Sequence, residues 1–386
     1  MSILEDVTVK QHISLNEGAL GEIGGILDRS SACRVFLVLD ESAYVASGAA
    51  QVLAPHFRDR SVEVFSNFEL NPKLHDVELG IVQCRAVKPD VVIGLGGGTA
   101  IDLAKMIGTL AAQKYSAREI VTGQVSIEQA RPPLIAVPTT SGTGSEATHF
   151  AVVYVDGQKI SLAHRLLLPD FGLVDAKLTH SAPAHITATT GLDAFCQAIE
   201  SLWAVGATEE SIKHASQSLA LSVRHLATAV LQPTPQARLG MCQSAHLAGK
   251  AINISKTTAP HALSYAITSE YGVAHGAAVA LNLGALLEYN ASVTAADCTD
   301  PRGPEHVGNQ IGRIVALLGA KTITDARQKI DELIERIGCP VSLGNVGVEG
   351  DRAIAQLVDQ VNLERLANNP RRIDAAALTY CLKERM

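Results

Sequence analysis

The run VVIGLGGGTAIDLAK, residues 91–105, constrains this chain more than any other stretch. It opens with apolar, largely β-branched residues that read as a buried strand. It then passes through Gly96, Gly97 and Gly98 into residues of helical character. A strand feeding a helix through a glycine turn belongs to a parallel α/β sheet. Glycines let the backbone approach a ligand closely. The helix start behind them offers unpaired N–H groups and the positive end of a dipole, which suits a pyrophosphate. A tight strand–helix turn without a ligand has the same composition, and the spacing is not the G-x-G-x-x-G of the common dinucleotide folds.

The surrounding sequence repeats this alternation. CRVFLVLD (33–40), SVEVFSNF (61–68) and PLIAVPTT (133–140) read as further strands, with SAYVASGAAQVLAPHF and DVELGIVQCRAV as helices between them. From about Pro183 onward the pattern changes. ATTGLDAFCQAIESLWAV, ESIKHASQSLALSVRHLATAVL and NQIGRIVALLGA repeat apolar residues at helical spacing, and β-branched runs largely vanish. The expectation is an N-terminal parallel-sheet dinucleotide-binding domain over 1–182 and an all-helical domain over 183–386. A 386-residue chain that is 47% hydrophobic has the material for two such cores.

A formal net charge of −7 gives no overall basic field to draw nucleic acid. Seven widely spaced cysteines without a C-x-x-C pair argue against a disulfide framework or a thiolate zinc site. They fit thiols in a reducing compartment. The N-terminus lacks the basic start and apolar run of a signal peptide, and no apolar stretch is long enough to span a membrane. The expected location is cytoplasmic.

Several residues carry candidate chemistry. Asp40 closes the first strong strand, where an acid can accept hydrogen bonds from an adenosine ribose and repel a 2′-phosphate. A solvated loop acid is the other reading. VPTTSGTGSEAT (137–148) is a strand end followed by a loop rich in hydroxyls and glycine, able to line a cofactor. Asp193 and Gln197 lie four residues apart on one predicted helix and share a face. A buried carboxylate in such an apolar helix needs a partner. His261 and His275 follow, with Tyr265 one turn after His261. A carboxylate with two imidazoles and open positions suits Fe(II) or Zn(II). Histidines satisfied within a core are the alternative.

GGGTAIDLAK, PTTSGTGSE, GLDA…AIE and H-A-x-S…HG occur together in an order and spacing that resemble the iron-containing alcohol dehydrogenases, over nearly the whole chain. The resemblance implies the same two-domain architecture, shared with dehydroquinate synthase, with NAD(P) and a divalent metal in a cleft. It implies that Asp40 selects NAD(H) over NADP(H) and that Asn71 contacts the cofactor. Gly97, Gly98, Thr99 and Asp102 would form the pyrophosphate loop, and Thr139, Thr140 and Lys159 would surround the ribose and nicotinamide. Asp193, His261 and His275 resemble three of four metal ligands, and a homodimer is implied.

Two positions depart from the pattern. Gln197 stands where the family usually has a histidine ligand, so the expectation is that it ligates the metal directly or holds a metal-bound water. Tyr265 stands where another histidine often assists proton movement; with His275 it forms the catalytic pair expected here. GLDAFCQAIESLWAVGATEES and NISKTTAPHALSYAITSEYGVAHG resemble more narrowly the phosphonoacetaldehyde reductase branch, which forms 2-hydroxyethylphosphonate. His164, Arg165 and Lys256 are candidate cations for a phosphonate. The resulting expectation is a metal-dependent NAD(P)H-linked aldehyde reductase. A dehydroquinate synthase-like lyase or cyclase, or a nucleotide-binding homologue that has lost its metal, remain alternatives.

Overall fold

The computed structural model describes residues 11–361 and 366–386. Two compact units emerge. One comprises residues up to Thr139 together with Ser145–Ser181. The other comprises Thr140–Gly144 and Ala182–Met386.

The first unit is a parallel sheet of six strands with an added hairpin. Its strands are β1 (His12–Asn16), β2 (Arg34–Leu39), β3 (Ser61–Phe65), β4 (Val91–Gly96), β5 (Leu134–Pro138), β6 (Phe150–Val155), β7 (Gln158–Ala163) and β8 (Phe171–Asp175). The sheet order is β1-β8-β5-β4-β2-β3, every pair parallel. Helices α1 (Ile23–Arg29), α2 (Glu41–Ala46), α3 (Ala49–Phe57), α4 (Leu74–Val87), α5 (Gly98–Leu110) and α6 (Ala117–Val121) connect them. Period-two alternation sends Val35, Leu37, Leu39, Ile93 and Leu95 into one core layer and Phe36, Val38 and Val92 into another. A sheet buried on both faces needs near-continuous apolar strands, which is what made β2, β4 and β5 legible.

The other strands carry weaker patterns. β1 and β8 are short and pair with each other. β6 and β7 form an antiparallel hairpin around Asp156-Gly157, where φ is 50° and 80°. Asp-Gly between two strands is a two-residue hairpin signal. The helix expected over residues 42–57 is two helices, because Gly48 (φ 80°) caps α3 in a left-handed conformation and interrupts the run. The strand expected to reach residue 68 ends at Phe65.

The second unit contains α7 (Ala184–Trp203), α8 (Glu209–Leu231), α9 (Pro235–Ser255), α10 (Ala259–Tyr271), α11 (His275–Ala291), α12 (Pro304–Leu317), α13 (Ile323–Arg336), α14 (Gly350–Asp359) and a last helix, Ala375–Lys383. Among the described residues no strand lies beyond Asp175. α7 is buried on every side from Gly191 to Trp203, so its apolar residues do not confine themselves to one stripe. Ser218, Ser222 and Ser244 join α8 to α9 through buried hydroxyl hydrogen bonds of 2.7–3.1 Å. No described helix is long and apolar enough to cross a membrane.

Candidate active site

The carboxyl ends of β2, β4 and β5 place three of the predicted segments side by side. The backbone N–H of Asp40 donates to Leu95 O (3.1 Å), and that of Thr139 donates to Gly96 O (2.9 Å). β2 and β4 are neighbours although β3 separates them in sequence, so the strand order reverses here. Open α/β sheets bind ligands at such a reversal. Gly96 has φ 145°, and an added Cβ would lie 2.9 Å from Ala100 Cβ and 3.1 Å from Asp40 Cβ. Only glycine fits, and its absent side chain is what brings Asp40 against the turn. Gly97 caps α5, and Gly98 and Thr99 begin it. The sequence-expected glycines thus stand at a helix start, whose free N–H groups suit an anion.

Asp40 uses Oδ1 to cap α2, accepting from Ala43 N (3.0 Å) and Ser42 Oγ (2.6 Å). Its Oδ2 is left for a further donor. Thr139 Oγ1 is buried without a protein partner. Asp102 accepts from Ser145 Oγ (2.5 Å) and Val152 N (2.9 Å), so its carboxylate ties α5 to the hydroxyl-rich loop and to β6. Beside it, the fully buried Lys105 donates to Thr148 Oγ1 and Phe150 O, both at 2.9 Å. Asn71 and Lys159 form a separate group. Asn71 (φ 63°) precedes Pro72, whose carbonyl accepts from Tyr154 N (2.7 Å), and Tyr154 pairs with Lys159 across the hairpin. Thr140 belongs to the second unit.

In the second unit, α7 carries Asp193 and Gln197, α10 carries His261 and Tyr265, and His275 is the first residue of α11. One ligand atom each from Asp193, His261 and His275 lies within 4.8 Å of the others. His261 Nε2 is 3.2 Å from Asp193 Oδ1. The imidazoles of His261 and His275 stand edge-on, 5.4 Å apart, and Tyr265 stacks on His275 at 5.9 Å with a 10° interplanar angle. Gly276 makes this convergence possible. A Cβ there would fall 1.9 Å from Thr189 O and 2.8 Å from Asp193 N, so only glycine lets α11 press onto the α7 backbone beside the carboxylate.

Gln197 is buried one turn beyond Asp193. Its Nε2 reaches Thr143 O at 3.5 Å, while Oε1 has no hydrogen-bond partner. An orphaned buried acceptor is costly unless something occupies it. The Asp193 carboxylate, the two imidazoles of His261 and His275 and the orphaned Gln197 amide oxygen form a donor set that fits a first-row divalent cation.

Sequence reasoning did not assign Glu200. Its carboxylate is fully buried, contacts His261 Nδ1, and accepts from Thr258 N (2.8 Å) and Thr258 Oγ1 (2.9 Å). Trp203 Nε1 donates to the same threonine hydroxyl (2.9 Å). Ser264 Oγ lies 3.4 Å from His275 Nδ1. The spacing 193, 197, 200 along one helix face is the signal that would have found Glu200. Burial alone would lower the His261 pKa, but Glu200 and Asp193 outweigh it and hold the imidazole up at about 9. An incoming cation competes with that proton.

Residues 10–176 match the family model for the iron-containing alcohol dehydrogenase, and residues 187–386 match that for the C-terminal part of the Fe-containing alcohol dehydrogenase family. The chain belongs to the iron-containing alcohol dehydrogenase family. Phosphonoacetaldehyde reductase of Streptomyces viridochromogenes is 35% identical over 313 residues, 78% of each chain. Long-chain-alcohol dehydrogenase 1 of Geobacillus thermodenitrificans is 31% identical over 90% of this chain and 88% of its own. The crystal structure of sulfoacetaldehyde reductase from Bifidobacterium kashiwanohense in complex with NAD+ matches with a TM-score of 0.87 at 28% identity, covering 97% of this chain and 96% of that one. This dehydrogenase is therefore an oxidoreductase, and the findings support that reading and not a synthase-like lyase.

Proposed function

We propose that this iron-containing alcohol dehydrogenase reduces a small aldehyde bearing a tetrahedral anion, with phosphonoacetaldehyde the leading substrate and 2-hydroxyethylphosphonate the product. NADH is the preferred cofactor over NADPH, and the metal is Fe(II) or Zn(II), held by Asp193, Gln197, His261 and His275. The observation that carries this reading is the convergence of Asp193, His261 and His275 beside the orphaned Gln197 oxygen. The names of the phosphonoacetaldehyde and sulfoacetaldehyde relatives support the anionic substrate. The same reading takes the protein as a cytoplasmic homodimer.

Bound in this donor set, a divalent cation supplies Lewis acidity toward a carbonyl oxygen, and the nicotinamide supplies hydride. The chain's own residues do the rest. Gly97, Gly98 and Thr99 present the α5 N-terminus to the pyrophosphate. Asp40 Oδ2 accepts from a ribose hydroxyl, and Thr139 Oγ1 finds in the cofactor the partner it lacks in the protein. Tyr265, held flat against His275, delivers the proton to the product oxygen from its phenol hydroxyl.

The test is an aldehyde panel of phosphonoacetaldehyde, sulfoacetaldehyde and propanal, with NADH or NADPH and added Fe(II), Zn(II) or Mn(II). Metal-dependent NADH oxidation, fastest with an anionic aldehyde, is the expected result. Nucleotide binding without turnover of any aldehyde under any metal would leave the metal-depleted, non-catalytic reading in its place.

A further inference from the structure

Lys256 sits at the C-cap of α9 with φ 60° and ψ 179°. Positive φ with extended ψ is a region that essentially only glycine adopts. Lys88, which also has positive φ, closes α4 at φ 49° and ψ 63°, the ordinary left-handed helix stop. Lys256 has no such excuse. Its neighbours hold it there. Its own N–H donates to Ile252 O (2.9 Å), and Asn368 Nδ2 donates to both Ser255 O (2.8 Å) and Thr257 O (2.9 Å). Ser255 Oγ binds Ser201 Oγ at 2.9 Å, and Thr258 is fixed by Glu200. The side chain is exposed, and among the described residues its ammonium has no carboxylate partner.

A strained residue clamped on both sides is kept for its side chain, since glycine would hold the same backbone without strain. The clamp is also the frame of the metal site. Thr258 hydrogen-bonds the carboxylate that holds His261, and two residues of chain span at most about 7 Å. The lysine stem of four methylenes gives an exposed ammonium anchored on that frame a reach of several ångströms. The other sequence candidates serve less well. His164 Nδ1 accepts from Leu166 N (3.2 Å), and burial, with the neighbouring Arg165 and His149, lowers its pKa, so the ring is a poor cation at neutral pH. Arg165 is simply exposed in the sheet-bearing unit.

We propose that Lys256 is the specificity residue for the substrate's tetrahedral anion, a phosphonate or sulfonate one carbon beyond the aldehyde. This rests on the anionic-aldehyde reading above and names the group that reads the charge. The experiment compares wild type, Lys256→Gly and Lys256→Arg on phosphonoacetaldehyde, sulfoacetaldehyde and the neutral isostere 3,3-dimethylbutanal, with thermal melts of each. The readout is the ratio of kcat/KM for anionic over neutral substrate. In Lys256→Gly this ratio falls about 10- to 100-fold, the scale of one charge-assisted hydrogen bond. The same variant melts about 2 °C or more higher as the backbone relaxes. Lys256→Arg restores most of the ratio. A wild type that prefers the anions while Lys256→Gly keeps that preference overturns the assignment and leaves the substrate reading intact. A wild type with no preference for either anion over the isostere overturns both. Equal losses on all three substrates with a lower melting temperature would mark Lys256 as structural and overturn the proposal.

Discussion

The imidazole Nδ1 of His261 is hydrogen-bonded to the carboxylate of Glu200, and both groups are buried. This fixes which face of the ring is available: Nε2 points toward Asp193 Oδ1. Partners of this kind set the tautomer and basicity of a metal-binding histidine. Charge follows the same logic. Asp193 and Glu200 place two carboxylates in a buried setting, and a divalent cation that displaces the His261 proton would balance them, with Gln197 and the then neutral imidazoles adding no charge.

Glu200→Gln keeps an acceptor for Thr258 but removes the charge. The expected result is metal affinity weaker by about 10- to 100-fold with the fold retained. Glu200→Ala strands Thr258 N–H and His261 Nδ1 and is expected to destabilise by about 3–5 kcal/mol. Metal titration of the apo protein and urea unfolding read the two effects separately. Unchanged affinity in Glu200→Gln would remove Glu200 from the site.

Gln197 admits a sharper test, because its Oε1 is either a ligand or a defect. If it is a ligand, Gln197→Leu weakens metal binding, and Gln197→His strengthens it by about tenfold or more, since imidazole holds first-row ions better than a neutral amide. If it is a defect, Gln197→Leu leaves metal affinity unchanged and stabilises the apo protein by about 1 kcal/mol, because an unsatisfied acceptor has gone. His275→Ala is expected to lose both metal and turnover. Metal content of identically purified variants, with apo-protein melts, decides between them.

The residues that were legible in sequence share a physical reason. Strands β2, β4 and β5 are buried on both faces, so their apolar runs are nearly unbroken. Asp193, His261 and His275 stand out as polar residues in apolar helices. Glu200 is equally buried and shares a helix face with Asp193 and Gln197, but its partner His261 lies 61 residues away, so the spacing marks the residue without naming what it contacts. The need for Gly276 lies in a helix–helix approach, and that for Gly96 in a contact with Asp40; neither is a local property. β1 and β8 gain their identity from pairing with each other across 159 residues of chain, from His12 to Phe171, rather than from their own patterns. The loop after β5 divides between the two units at Thr140–Gly144, a boundary invisible in its uniform composition.

On the proposed reading, Asp40 sets the choice of nicotinamide cofactor through like-charge repulsion. Its Cβ lies against the Gly96 turn at the end of β2, where an acid repels the 2′-phosphate of a ribose seated on that turn. Asp40→Gly is expected to raise kcat/KM for NADPH by about tenfold or more and to lower that for NADH. The variant also removes the cap on α2, so melting temperature is recorded alongside. A wild type that already uses NADPH better than NADH would show that Asp40 does not face the ribose.

Lys105 makes stability depend on pH in a direction opposite to the usual buried ion pair. Burial lowers its pKa to about 8 against an ordinary value of 10.5, and the nearby Asp102 and Glu146 offset only part of that burial. Below about pH 8 the lysine is charged in both folded and unfolded chains, and its burial penalty is fully present. Between about 8 and 10.5 the folded chain has released the proton and the unfolded chain has not. Unfolding then takes up a proton, and stability rises with pH. Above 10.5 the penalty is gone. Its full size is on the order of 3 kcal/mol. Cysteines such as Cys84 and Cys381, whose thiols burial pushes up to about 12, act in the opposite sense over the same range. The comparison must therefore be a difference between two proteins that share them. Urea unfolding of wild type and Lys105→Met at pH 7.5 and pH 10 supplies it. The stability of wild type relative to the variant is expected to climb by about 2 kcal/mol or more between the two. A difference that stays flat across that interval would mean the ammonium keeps its proton, held by Thr148, Phe150 and Asp102 more strongly than burial opposes it.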